Sequence, residues 1–262
     1  MRVSPGAPGP SQLARLAMDL RKPEGVREHS AFLVEGRRFV RDVLARAPGS
    51  IIGLLASESA SREGLPDSPL PFSIVPDRLL GRISDTVTSQ GILAVCRLPD
   101  DRWREFEAPE GRCLVPVLDG AADPGNAGTL IRTAAAFGCP AVFLTPGSCE
   151  AFSPKVTRAS AGANAFIPIH QRAEPGELAG LLRSQGFRIL AAEAGGGALA
   201  ALPAAPRVAL VIGSESFGIS PLMLALCDGT VSIPMPGGME SLNAAVAGSI
   251  LMYCVKESMV RG

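Results

Sequence analysis

The sequence predicts an α/β protein in two parts, a small α/β domain over residues 1–105 and a parallel-sheet α/β domain over residues 106–262. Three observations carry this. Short apolar runs alternate with amphipathic segments along most of the chain, as strands joined by helices do. A polar stretch at residues 99–109 interrupts the alternation and reads as a linker. Beyond it the alternation restarts more regularly, and short apolar strands separated by helices imply a parallel sheet covered on both faces.

In the first part, residues 32–36 read as a short strand. A helix follows through residues 37–47, with Phe39, Val40, Val43 and Leu44 on its inner face. Residues 51–55 form a strand, and a Ser/Glu/Pro-rich loop leads to another at 72–75. A short helix near 78–83 and a strand at 92–96 complete the domain. In the second part, strands are expected near 113–118, 141–144, 165–169, 187–193, 207–212 and 230–234. Helices are expected near 127–137, 176–185, 220–226 and 241–258. Ligands of such sheets bind beyond the carboxyl ends of the strands, and there the unusual residues of this chain lie.

Composition narrows the function classes. Hydrophobic residues make up 47% and charged residues 19%, enough for a buried core and against global disorder. The first residues contain no apolar signal segment, and no apolar run reaches the length a membrane helix needs, so a soluble, cytoplasmic protein is expected. Cys96, Cys113, Cys139, Cys149, Cys227 and Cys254 form no CxxC pair and read as small buried hydrophobes in a reducing compartment. Two histidines give zinc chemistry or a Ser-His-Asp triad little to work with, and no metal is expected. Net charge is zero, but residues 1–50 carry nine basic against five acidic side chains, an excess that suits a phosphate backbone.

Three motifs stand out. Residues 119–138 read DGAADPGNAGTLIRTAAAFG. Asp123-Pro124-Gly125 marks a turn, and Asn126 is well placed to cap the following helix, whose inner stripe would be Leu130, Ala134 and Phe137. Arg132 has no acid one helical turn away in either direction. Residues 207–220 read RVALVIGSESFGIS: an apolar strand runs into Gly213, Glu215 follows between two glycines, and Ser220-Pro221 would cap the next helix. Residues 231–255 read VSIPMPGGMESLNAAVAGSILMYCV. There a strand breaks at Pro234 and a helix is expected from Ser241. Leu242, Val246, Ile250 and Cys254 form one apolar line of that helix, and Ala244, Ala245, Ala247 and Gly248 a close-packing face. The pattern predicts a helix buried nearly all round, in which Asn243 needs a polar partner.

In order and spacing these blocks resemble the three motifs of the SpoU/TrmH family of RNA 2′-O-ribose methyltransferases, within the SPOUT superfamily. Residues 153–163, SPKVTRASAGA, look like the family's connecting segment. Residues 32–36 with the basic helix after them, and residues 88–95, TSQGILAV, are similar to its ribosomal-protein-like RNA-binding domain. Ser214 and Ser216 depart from the asparagine and glycine common in the second motif. The resemblance implies a deep trefoil knot, a homodimer with the active site at its interface, S-adenosylmethionine as cofactor, and RNA, ribosomal rather than transfer, as substrate. It assigns catalysis to Asn126, Arg132, Glu215, Ser241 and Asn243. Cofactor binding falls to the loops containing Leu144 and Thr145, Gly213, and Ile233, Met235 and Leu242. Arg132 would clamp a phosphate and stabilise a developing alkoxide rather than act as base, since guanidinium stays protonated. Asn126 and Asn243 would position ribose and arginine, Glu215 would orient Arg132 or its neighbours, and Ser241 would start the third motif's helix.

Two other readings compete. An RNA-binding protein of the same fold without catalysis would have no need of Asn126, Arg132, Glu215, Ser241 and Asn243 together. Residues 195–200, GGGALA, satisfy a dinucleotide-binding pattern, with Glu215 about 20 residues on. A crossover helix would have to fit before Pro203 and Pro206, however, and a βαβ crossover needs a dozen or more residues.

Overall fold

The computed structural model describes residues 9–84, 89–195, 205–235, 237 and 241–261. The dinucleotide-like segment beyond Gly195, Thr88, and part of the Gly/Pro/Met loop before Ser241 lie outside the described residues. Up to residue 100 the elements are α1 (Pro10–Asp19), α2 (Pro23–His29), β1 (Ala31–Glu35), α3 (Arg37–Arg46), β2 (Ile51–Ser57), α4 (Glu58–Arg62), β3 (Phe72–Val75), α5 (Asp77–Ile83) and β4 (Ile92–Arg97). Then come β5 (Cys113–Asp119), α6 (Pro124–Ala136), β6 (Val142–Leu144), α7 (Pro154–Ala159), β7 (Ile169–His170), α8 (Pro175–Ser184) and β8 (Arg188–Ala192). The chain ends with β9 (Arg207–Gly213), α9 (Pro221–Ala225), β10 (Gly229–Val231) and α10 (Ala244–Arg261).

Two compact units result, Met1–Asp100 with Phe152–Phe166, and Asp101–Ala151 with Ile167–Gly262. The first is a mixed sheet in the order β1-β4-β2-β3, antiparallel except for β2 beside β3. Helices α1 and α2 were not expected from sequence, and α4 stands at the start of the expected Ser/Glu/Pro loop, capped by the Ser57 side chain on the Ala60 N–H.

Residues 152–166 leave the second half of the sequence to join this unit. The Phe152 ring lies 5.0 Å from that of Phe32, α7 packs on β1, and the Arg46 guanidinium sits 4.9 Å over the Phe166 ring. Phe152 and Val156 are buried there. A cut after residue 105 would therefore strip the partner from an apolar segment. The polar stretch at 99–109 also holds anchors. Trp103 is buried in the core of the second unit, and Phe106 meets Phe143 edge-on at 5.2 Å. Asp101 accepts a hydrogen bond from the Gln171 N–H at 2.7 Å and pairs with His170 Nδ1 at 3.0 Å.

The second unit is a six-stranded sheet in the order β10-β8-β9-β5-β6-β7, parallel at every pairing. Its central strands are buried on both faces, β5 along its whole length and β9 except at its ends. Strand β7 is later and shorter than expected, because 163–165 form a 3-10 turn of the other unit.

Helix α10 departs from the sequence reading in two ways. It begins at Ala244 rather than Ser241, since Asn243 stands as its cap, with Oδ1 accepting the N–H groups of Ala245 and Val246 at 3.0 and 3.2 Å. It is also not buried all round. Ala245, Leu251, Met252, Val255 and Met259 face inward, while Leu242, Val246, Ile250 and Tyr253 are 38, 48, 38 and 53% exposed. Close approach at Gly248 chose the buried face. A Cβ there would lie 2.6 Å from Leu130 Cδ2 and 2.8 Å from Ile212 Cδ1. Gly248→Val should destabilise the fold by about 1–3 kcal/mol through overpacking. A urea midpoint equal to that of wild type would show that α10 is free to shift. No described helix is long and apolar enough to cross a membrane.

Candidate active site

Parallel strands leave their carboxyl ends on one edge of the sheet, and loops from those ends build the site. Those after β8, β9 and β10, with the start of α10, enclose a cavity of about 420 Å³, within the range of small-molecule sites. Ile212, Ile233, Met235, Leu242 and Leu251 supply apolar wall, Gly213, Ala247 and Gly248 admit close approach, and Glu193 and Glu215 supply carboxylates. Gly213, Ile233, Met235 and Leu242, four of the residues that the resemblance assigns to the cofactor, line this cavity. Leu144 and Thr145 do not. Both are buried, and Thr145 is used structurally: its hydroxyl donates to Asp119 Oδ1 at 2.6 Å and accepts from the Gly120 N–H at 3.1 Å.

Three polar side chains from three separate motifs meet at the cavity's edge. Asn126 Nδ2 donates to Glu215 Oε2 at 2.7 Å. Asn243 Nδ2 donates to Asn126 Oδ1 at 2.9 Å and approaches Glu215 Oε2 at 3.4 Å. Asn243 thereby finds the partner its position demanded, and Glu215 and Asn243 also line the cavity. Asn126 is not a helix cap. Asp123 is, its Oδ1 accepting the Asn126 N–H at 2.7 Å, which leaves the Asn126 amide free to reach Glu215.

The Glu215 loop is held tightly. Ser214 and Gly218 exchange two backbone hydrogen bonds of 2.9 Å, and the Ser214 hydroxyl accepts the Phe217 N–H at 3.0 Å. A Cβ at Gly213 would lie 2.1 Å from Gly218 C and 2.3 Å from Ile219 N, so only glycine fits. Ser214, the departure noted in the second motif, thus closes the loop with its hydroxyl. Ser220 caps α9, as expected. The buried Asp119 carboxylate ties β5 to this loop, its Oδ2 accepting the Ser220 N–H at 2.6 Å. Neither Asp119 nor Glu193 was picked out from sequence. Each is the carboxylate standing at the carboxyl end of a parallel strand, a signal that was legible.

Arg132 and Ser241 stand apart from the amide–carboxylate cluster. Arg132 is exposed on α6, does not line the cavity, and makes no hydrogen bond or ion pair among the described residues. Ser241 is exposed and lines the cavity without starting α10. Four of the cysteines are poor nucleophiles. Burial pushes the Cys96 and Cys139 thiols up to about 12, and those of Cys149 and Cys227 up to about 11. Among the described residues no group of three or more His, Cys, Asp or Glu could hold a metal ion.

Fold and site define a parallel-sheet α/β domain with a cavity of small-molecule size at its strand ends beside a hydrogen-bonded amide–carboxylate cluster. The chain belongs to the SpoU rRNA methylase family, which matches residues 114–253. It is similar to the 23S rRNA (guanosine(2553)-2′-O)-methyltransferase RlmP of Bacillus subtilis, 30% identical over 86% of this chain and 88% of that one. A TrmH-family structure from Porphyromonas gingivalis shares 32% identity over the whole of both chains, with a TM-score of 0.78. The fold also matches that of the SpoU methyltransferase AviRb from Streptomyces viridochromogenes, determined in complex with AdoMet. The match has a TM-score of 0.80 at 23% identity, over 95% of this chain and 99% of that one.

Proposed function

We propose that this protein transfers a methyl group from S-adenosylmethionine to the 2′-hydroxyl of a ribose in RNA, and specifically in ribosomal RNA. The observation that carries this reading is the hydrogen-bonded cluster of Asn126, Glu215 and Asn243, built from three family motifs at the edge of the 420 Å³ cavity. The substrate class rests on RlmP, which is named for such a reaction on 23S rRNA.

The cavity suits the cofactor. Its apolar walls and close-approach glycine match a nucleoside, and its carboxylates favour a cationic ligand. Gly213, Ile233, Met235 and Leu242 would hold the cofactor. When bound, S-adenosylmethionine supplies an electrophilic methyl group for in-line attack by the ribose oxygen, with no metal needed. Glu215 Oε2, engaged by two amides, anchors Asn126 and Asn243 so that they orient the ribose. Arg132, without a hydrogen-bond or ion-pair partner among the described residues, clamps the neighbouring phosphate and stabilises the oxyanion as the hydroxyl proton leaves. Ser241 contributes a hydroxyl to the cavity wall.

The assembly follows the same reading. Val246, Ile250 and Tyr253 recur along one exposed face of α10, with Leu242 exposed just before it, a surface for a second copy of the chain in a homodimer. The trefoil knot is proposed from membership of the family. The first unit would grip RNA from the cytoplasm, with exposed Arg38 and Arg41 on α3 and exposed Lys155 and Arg158 on α7.

Calorimetric titration should show binding of S-adenosylmethionine and its demethylated product, and none of nicotinamide dinucleotides. Mapping 2′-O-methyl sites in total RNA with and without the gene should reveal one site lost from ribosomal RNA. Tight NADH binding, or an unchanged methylation map, would overturn the proposal.

A further inference from the structure

We propose that Phe217 is a stacking platform for a base of the RNA substrate, next to the ribose that receives the methyl group; this rests on the reading above. The Phe217 side chain is 93% exposed, more than any other large hydrophobic residue described. Covering such a ring is worth about 1.5–3 kcal/mol, so leaving it in water is a cost that the loop does nothing to relieve. The loop instead fixes it. The paired backbone bonds of Ser214 and Gly218, the Ser214 hydroxyl on the Phe217 N–H, and the absence of room at Gly213 hold the segment in one shape. With the backbone beneath the ring already ordered, binding has to restrict only the two side-chain torsions of Phe217.

Position and surroundings select the occupant. Phe217 is two residues from Glu215, so their Cα atoms are at most about 7 Å apart. The ring therefore stands within a nucleotide's reach of the Asn126–Glu215–Asn243 cluster. Its loop neighbours Ser214, Glu215 and Ser216 are polar, so the ring is a single apolar face with a wet rim. A second copy of the chain would want a continuous apolar surface such as the exposed face of α10. A nearby carboxylate disfavours a phosphate and leaves a neutral base unopposed. One aromatic face beside polar groups is how proteins take unpaired bases of RNA.

The test compares Phe217→Ala, Phe217→Leu and Phe217→Trp with wild type, using an in vitro transcript of 23S rRNA. Alanine and leucine should each raise the KM for RNA about ten- to a hundredfold. The kcat at saturating RNA, the cofactor Kd and the sedimentation behaviour should stay within twofold of wild type. Phe217→Trp should retain activity. Trp103, the only natural tryptophan, is buried, so the new exposed emission can be followed separately. It should be open to a small quencher in the free protein, and quenched by RNA but not by cofactor alone. Wild-type KM in the leucine variant, a loss that tracks with a changed oligomeric state, or a tryptophan already shielded without RNA would each overturn the assignment. Wild-type protein that fails to methylate while RNA still quenches Phe217→Trp would sink the catalytic reading and leave the stacking role standing.

Discussion

Arg132→Ala is expected to lower the rate of methyl transfer a hundredfold or more, with cofactor affinity and oligomeric state within twofold of wild type. Arg132 is exposed on α6, touches no described partner, and is absent from the cavity wall. Its removal breaks no hydrogen bond or ion pair among the described residues, so the cost is expected to come from substrate and transition state. Losing a charge-assisted contact made mainly in the transition state costs about 3 kcal/mol, which is the hundredfold expected. Arg132→Lys separates two roles. Lysine keeps the charge but loses the planar fork, so if the guanidinium clamps a phosphate the lysine variant should stay slow near neutral pH. If the residue were a base, the lysine variant's rate would climb as pH approached the lysine pKa. Single-turnover kinetics across that pH range decide between them. Wild-type turnover in either variant would remove Arg132 from the mechanism.

The second large effect is expected at Gly213. Gly213→Ala puts a Cβ 2.1 Å from Gly218 C and 2.3 Å from Ile219 N, far inside van der Waals contact, and backbone cannot swing aside as a side-chain tip can. The Ser214–Gly218 clasp must open, carrying Glu215 off Asn126 and moving four residues of the cavity wall, Gly213, Ser214, Glu215 and Gly218. Cofactor affinity should fall more than tenfold, and stability by about 1–3 kcal/mol. Gly176→Ala is the control. Its Cβ would meet nothing within 4 Å, and this helical site should be neutral or slightly stabilised. Calorimetry and urea unfolding of both variants test the pair. A Gly213→Ala protein that binds cofactor normally would mean that the clasp does not shape the site.

The resemblance to the family singled out Asn126, Arg132, Glu215, Ser241 and Asn243, and the structure brings three of them, Asn126, Glu215 and Asn243, together. Asn126 and Arg132 share one helix, Glu215 follows an apolar strand directly, and Asn243 precedes a helix. Their roles in folding were less legible. Asp123 and Asn126 are both good capping residues three positions apart, and local sequence does not say which will cap. The structure uses Asp123 as the cap and so releases Asn126 to Glu215, 89 positions away. The Thr145 hydroxyl, in a loop that the resemblance assigns to the cofactor, is taken by Asp119, 26 positions upstream.

Periodicity and turn chemistry alone determined most of the alternation of strands and helices and the parallel character of the second sheet. These depend on side-chain spacing within a few residues, which the chain carries everywhere. Tertiary structure alone decided which face of α10 is buried, because Gly248 sets how closely the helix approaches Leu130 and Ile212. It also sent residues 152–166 to the first unit, where Phe152 packs against Phe32. Both outcomes turn on contacts between residues tens to more than a hundred positions apart. No local pattern encodes such contacts, because the partner that satisfies an apolar stripe is chosen only when the chain packs.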